Sequence, residues 1–306
     1  MEISVRTAAA SLSVFLDHII DYAGLFAPAS LDMTTSVNNY SRYLMHAQRW
    51  ALGRFVLPVA RLGEFRTAKH FSTDGWQISG ILSSANIESE LAFVSEFNLH
   101  ASGDRIDILE VRVGSLYEID QVRQNQPPGT TVFYEVPLPR ADEFLPILRH
   151  IGACAKLRTG GVVAEAIPAI EHVSAFIARC AELGLPFKAT AGLHHPVRCT
   201  RPLTYDLNSS ESAMHGFLNM FTAAAIAWAA SHNGRAVPRL ALETCFADRD
   251  RTNWHFGEDA LTWTGDDEPI QIDVESLRVM RSKFALSFGS CSFEEPLVEL
   301  REFDLL

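Results

Sequence analysis

Eight short β-rich runs alternate with helix-length stretches along most of this chain, an order of elements that few architectures accept. The runs fall at 20–26, 54–59, 77–83, 106–113, 131–137, 155–159, 187–191 and 285–289. Parallel strands joined by crossover helices are expected from such a pattern, and eight of them predict an α/β fold, a closed (β/α)8 TIM barrel. Helical spacing is plain in Ile170-Glu-His-Val-Ser-Ala-Phe-Ile-Ala-Arg-Cys-Ala-Glu-Leu183, with Gly184 as its stop.

One domain over 1–306 is the expected organisation, since 47% hydrophobic content is enough to fill a large core. Roughly ninety residues separate the last two expected strands, too many for an ordinary loop. A long insertion between strands 7 and 8 is therefore predicted, with 200–272 as a helical and hairpin excursion. Within it, 217–230 is apolar on nearly all sides and reads as a buried helix, the basis for expecting a homo-oligomer. Paired aromatic flanks at 254–263 read as a β-hairpin. Internal repeats, linkers and low-complexity tracts are not evident.

With 26 basic against 37 acidic residues, the net charge of −11 would repel a polyanion, so no nucleic-acid partner is expected. Five scattered cysteines without a C-x-x-C pair argue against a disulfide framework or zinc knot and fit a reducing cytoplasm. The first twenty residues carry Glu2, Asp17 and His18, which fits neither an export signal nor a membrane span.

Two lysines stand out because each lies in an apolar run that ends in turn-forming residues: Ala155-Lys-Leu-Arg-Thr-Gly-Gly161 and Pro186-Phe-Lys-Ala-Thr-Ala-Gly192. Lysine is seldom buried without a partner or a task. Those positions lie near the C-terminal mouth of their strands, where a barrel carries its chemistry. Alternation puts Lys156 and Arg158 on one face and Lys188 and Thr190 on one face of the next strand. Were all to face inward, repulsion and desolvation would favour a neutral amine, the nucleophile needed to form a Schiff base with a carbonyl. The competing reading is an outward lysine that reaches water beside a helix carboxylate.

On the fourth strand, Glu110 and Arg112 share a face with Ile106 and Ile108, while Asp107 lies on the other. Glu110 is expected as proton shuttle or lysine partner and Arg112 as substrate anchor, with a structural ion pair as the alternative. Glu135 on the fifth strand either completes the acid and base set or neutralises Arg158. His194, His195 and Arg198 continue from the Lys188 strand into the mouth and are expected to bind an anionic substrate. Adjacent histidines also raise a metal site, with His215 as a further ligand, but neighbours on extended chain point apart, and no metal is expected. Gly289, Ser290 and Ser292 offer either an anion-binding turn or a helix cap. Cys291 reads as a packed small residue, since no histidine is next to it in sequence.

Four of these segments, in order, resemble the deoxyribose-phosphate aldolase group of class I Schiff-base aldolases, which are (β/α)8 barrels. Ile20-Asp-Tyr-Ala-Gly-Leu-Phe-Ala-Pro-Ala29 is similar to the opening Ile-Asp-His-Thr-Leu-Leu strand of that group, and Ile106-Asp-Ile-Leu109 to its Asp-bearing fourth strand. Lys156-Leu-Arg-Thr-Gly160 resembles its Lys-Thr-Ser-Thr-Gly, and Lys188-Ala-Thr-Ala-Gly192 its Lys-x-Ala-Gly-Gly. Phe288-Gly-Ser-Cys-Ser292 is similar to its phosphate-binding turn. The resemblance implies Lys156 as the Schiff-base lysine, Lys188 as the lysine that lowers its pKa, and Asp107 as the proton relay, where alternation prefers Glu110. Asp21 joins the expected substrate-binding residues. Arg158 in place of a small polar residue, and Leu193-His-His-Pro196 in place of a Gly-rich continuation, are departures that imply a different substrate.

The expected function is a Schiff-base lyase acting on a small anionic carbonyl compound, with no cofactor. Two alternatives stand beside it. One is a non-covalent isomerase or metal-assisted hydrolase using Glu110, Glu135, His194 and His195, and the other a non-catalytic barrel that binds a small anion.

Overall fold

The computed structural model describes residues 8–69, 75–100, 103–265 and 267–306; positions 1–7, the start of the stretch read for an export signal, lie outside the described residues. Seven strands come first: β1 (Ile20–Tyr22), β2 (Leu52–Pro58), β3 (Gln77–Leu82), β4 (Arg105–Arg112), β5 (Thr131–Glu135), β6 (Cys154–Arg158) and β7 (Phe187–Thr190). Then follow β8 (Cys199–Pro202), β9 (Glu211–Met214), β10 (Trp254–Phe256), β11 (Ala260–Trp263), β12 (Ile270–Asp273) and β13 (Ala285–Ser290). Eight of them close a parallel barrel in the order β1-β13-β7-β6-β5-β4-β3-β2. The chain is a (β/α)8 TIM barrel, with helices between its successive barrel strands.

The outer helices follow from their apolar spacing. Ile170–Leu183 buries Val173, Phe176, Ile177 and Cys180 and ends at Gly184, whose left-handed backbone closes the last turn. Leu116–Asn125 begins at Ser115 in a capping box with Glu118. Inside the barrel, Ile108, Phe133 and Cys154 pack with Leu286 as a small apolar plug in the N-terminal half. Polar side chains lie above that plug.

The ladder between β3 and β4 slips by one residue: Ile78 pairs with Ile106, and Ser79 pairs with Ile108. Asp107, the extra residue, turns to the N-terminal mouth of the barrel. There it and Arg54 line a cavity of ≈ 680 Å³ together with Ile108 and Phe133.

Between β7 and β13 the chain forms the β8–β9 hairpin, helices Phe217–His232 and Arg239–Ala247, the antiparallel β10–β11–β12 sheet and helix Val274–Lys283. The hairpin expected at 254–263 thus has a third strand, β12. Helix Phe217–His232 packs against helices Ile170–Leu183, Arg239–Ala247 and Val274–Lys283. Its apolar surface is covered within one chain, so it does not call for a neighbouring subunit. Arg281 ties this region to the barrel by donating to the carbonyls of Phe15 at 2.9 Å, Asp17 at 3.0 Å and Ala285. Among the described residues no helix is long and apolar enough to cross a membrane.

Candidate active site

Parallel register sets Arg112, Glu135, Lys156 and Lys188 side by side on β4, β5, β6 and β7. Three of these side chains, Glu135, Lys156 and Lys188, make a buried row across the barrel with Glu110 and Asp21. Lys156 Nζ lies 2.8 Å from Glu110 Oε2 and 3.1 Å from Glu135 Oε2. Lys188 Nζ lies 2.5 Å from Glu110 Oε1 and 2.6 Å from Asp21 Oδ2. Arg158 extends the row at its open end, with Nε donating to Glu135 Oε1 at 2.8 Å. Read in sequence, Arg158, Glu135, Lys156, Glu110, Lys188 and Asp21 alternate in sign, so every buried charge has an opposite neighbour.

Hydroxyls and backbone hold the row in place. Ser79 Oγ donates to Glu110 Oε1 at 2.6 Å, Ser287 Oγ to Asp21 Oδ2 at 2.7 Å, and the Arg54 N–H to Asp21 Oδ1 at 2.7 Å. Gly53 leaves the room Asp21 needs, since a Cβ there would fall 2.3 Å from Oδ1.

The titration behaviour follows from this pairing. Burial opposes charge on Glu110, yet the Lys156 and Lys188 ammonium groups hold its carboxyl well below the usual range. Glu135 is lowered in the same way, against its burial, by Lys156 and Arg158. Burial pulls Lys188 down, but Asp21 and Glu110 hold it above the ordinary lysine value, which favours its ammonium form. The repulsion expected between two bare amines is thus mediated by Glu110, which stands between them.

Above the row lies a cavity of ≈ 380 Å³ at the C-terminal mouth. Glu110, Arg112, Glu135, Lys156, Arg158 and His194 all line it, whereas Lys188 and Asp21 lie beneath, 1% and 0% exposed. Arg112 makes no ion pair among the described residues and is exposed. Four basic side chains against two carboxylates give the cavity a positive surplus, opposite in sign to the whole protein.

His194 is the one member of the Leu193-His-His-Pro196 segment that reaches the cavity. Its Nδ1 lies 3.9 Å from Cys291 Sγ and 3.5 Å from Glu295 Oε2. Burial disfavours its charge, but the Cys291 thiol and Glu295 carboxylate push its pKa up to about 9. Cys291, read as a packed small residue with no histidine next to it in sequence, has one in space, and it also lines the cavity. Tyr205 completes this corner, donating to Glu295 Oε1 at 2.8 Å.

Other expected site residues lie elsewhere. Asp107 is paired with Arg54, at 2.8 and 2.7 Å, and reaches neither lysine. Asp21 anchors Lys188 rather than facing the cavity. His195 pairs with Glu299 at 2.6 Å and lines a neighbouring groove. Arg198 donates to His215 Nδ1 at 3.1 Å, outside the cavity wall. His215 is occupied on its other side by the Pro168 carbonyl, 2.9 Å from Nε2. Gly289 lines the cavity, but Ser290 Oγ accepts from the Ser292 N–H, and Ser292 Oγ from the Glu295 N–H, capping helix Glu294–Glu302. Among the described residues no group of three or more His, Cys, Asp or Glu side chains is arranged to hold a metal ion.

The glycines that follow the two lysine strands have a shared purpose. Gly160 and Gly192 lie back to back, and a Cβ on either would fall 2.9 Å from the Cα of the other. Thr159 Oγ1 donates to the Ala191 carbonyl at 2.5 Å, pinning that residue in a left-handed conformation (φ 63°) on the cavity wall. Ser79, Arg54, Glu295 and Tyr205 are the contributors that sequence reasoning missed. A serine at an inward position of an apolar strand is the one signal that could have found any of them, and it marks Ser79, and Ser287 beside Asp21 as well. No protein-family model, curated protein or solved structure matches the chain.

Proposed function

We propose that the protein is a lyase of the Schiff-base aldolase type acting on a small anionic carbonyl compound, with Lys156 forming the imine. One observation carries this reading: the Lys156 amine lines the cavity between two carboxylates, each already shared with another cation. Lys188 draws on Glu110 and Arg158 on Glu135, so neither carboxylate belongs to Lys156 alone.

Binding itself supplies the deprotonation step. A substrate anion that draws Arg158 from Glu135 removes one of the two cations holding that carboxyl down, and Glu135 then accepts a proton from Lys156. The neutral amine adds to the carbonyl, Glu135 returns its proton to the resulting hydroxyl, and water leaves to give the iminium. As the iminium takes up the electron pair of the carbon–carbon bond beside it, the hydroxyl on the departing carbon gives its proton to Glu135 and that fragment leaves as a second carbonyl compound. Glu135 passes this second proton to the enamine carbon, and water hydrolyses the remaining iminium to release the product and the Lys156 amine. Arg112, Arg158 and His194 hold the anionic group, and Glu110 keeps the two lysines in register. No cofactor enters this scheme. Five free cysteines support a reducing, cytoplasmic setting.

Borohydride reduction in the presence of a panel of anionic aldehydes and ketones tests the reading. The expected result is a substrate-mass adduct on the peptide carrying Lys156. Absence of an adduct across the panel overturns it. The full ion pairing of both lysines favours a second reading, in which Lys156, Glu110 and Glu135 only move protons as an isomerase, and turnover without any adduct would support that one.

A further inference from the structure

The cavity has two unlike walls, and strand order places them opposite each other. Its charged residues come from β4, β5, β6 and the loop after β7, which are contiguous around the barrel. The side formed by β1, β2, β3 and the segment after β1 presents Ala23, Phe26, Ala27, Val56, Ile81 and Leu82. None of these six side chains donates or accepts a hydrogen bond. Between the walls β13 contributes Gly289, which adds no bulk.

A polyhydroxylated substrate would need hydrogen-bond partners for each hydroxyl it buries, and this wall has none to offer. An apolar segment there gains contact instead. The volume of ≈ 380 Å³ lies at the small end of the range for metabolite sites, so head group and body must both lie close to Lys156.

From this two-sided lining we infer that the substrate is an anionic carbonyl compound whose body is hydrocarbon apart from the one hydroxyl that bond cleavage turns into a carbonyl, such as an aliphatic or aryl hydroxy-oxo acid, rather than a sugar-like polyol. The anion meets Arg112 and Arg158, the carbonyl carbon meets Lys156, and the hydrocarbon part lies on Val56, Ile81 and Leu82. This deepens the lyase reading and rests on it for the position of the reacting carbon.

The test uses binding first, with probes that lack a carbonyl. Purified full-length protein is titrated with 4-methylpentanoate and with 2,3,4-trihydroxybutanoate, followed by calorimetry or thermal shift. The apolar carboxylate is expected to bind at least about tenfold more tightly, the scale on which apolar pockets discriminate. Val56→Thr, which keeps side-chain shape and adds a hydroxyl, should narrow that ratio, whereas Leu99→Thr on the exposed surface should not. Equal or reversed affinities, or binding of neither probe, overturn the inference. Borohydride trapping with 4-methyl-2-oxopentanoate is run beside it. A retained binding preference without a trapped adduct counts against the imine alone and leaves the apolar body supported.

Discussion

Lys156 and Lys188 share one carboxylate: Glu110 gives Oε2 to the first at 2.8 Å and Oε1 to the second at 2.5 Å. Both amines are almost wholly buried, so the glutamate is the group whose loss exposes two uncompensated charges at once.

Glu110→Gln should therefore destabilise the fold by about 3–5 kcal/mol, the range for breaking a buried ion pair. Glu135→Gln should cost less, about 2 kcal/mol, because Lys156 retains Glu110 and Arg158 is free to reach solvent. Urea denaturation of the two variants, compared at constant m, measures the difference. Equal losses would contradict the pairing described.

Substitution of the two lysines should separate their roles. Lys156→Met is expected to abolish borohydride trapping while leaving a folded barrel. Lys188→Met leaves Glu110 to Lys156 alone, which strengthens the Lys156 ammonium and should move the trapping profile to higher pH. The readout is adduct yield against pH by mass spectrometry, and an unmoved profile would remove Lys188 from the scheme.

Asp107→Asn provides the converse experiment. Its carboxylate faces Arg54 at the N-terminal mouth, so adduct formation at Lys156 should stay within about twofold of the parent, with any loss appearing as stability through the partly buried ion pair. A large drop in trapping would restore Asp107 as the proton relay.

Stability should peak near pH 6.5, because two buried histidines are shifted in opposite senses. His194 is raised to about 9, so its contribution is complete below the unfolded value of about 6.5 and is lost as pH rises through 9. His215 is lowered to about 4 by burial, with Arg198 beside it and the Pro168 carbonyl opposing. Its contribution is complete above 6.5 and is lost as pH falls through 4. Further acidification protonates Glu110 and Glu135, which are held below the usual carboxylate range, and removes their share as well. Each histidine limb should amount to roughly 3 kcal/mol. Denaturation midpoints from pH 4 to 10 measure both limbs, and His194→Gln should flatten only the alkaline one.

Much of this barrel is readable from residue order alone, because alternation of strand and helix restricts topology so severely. The positions of Lys156, Lys188, Glu110 and Glu135 follow from strand periodicity, which dictates the face each side chain takes. Asp107 escapes that rule because a one-residue slip between β3 and β4 is invisible in the residue pattern and reverses the expected side. The His194 corner was equally hidden. Its partners Cys291, Glu295 and Tyr205 come from segments about a hundred residues away or from a hairpin tip, and only folding brings them together. Strand ends were the least legible feature, with β1 stopping at Tyr22, short of the expected 26, and β2 starting at Leu52, ahead of the expected 54.

The alternating row from Arg158 to Asp21 holds three cations and three anions, and a proton passed from Lys156 to Glu135 leaves that total untouched. Such a hop cancels one ion pair and leaves the net charge of the row at zero. Under the proposed chemistry it would need no counterion to cross the mouth and little rearrangement of the surrounding solvent, so deprotonating the amine would leave the barrel electrically silent to the outside.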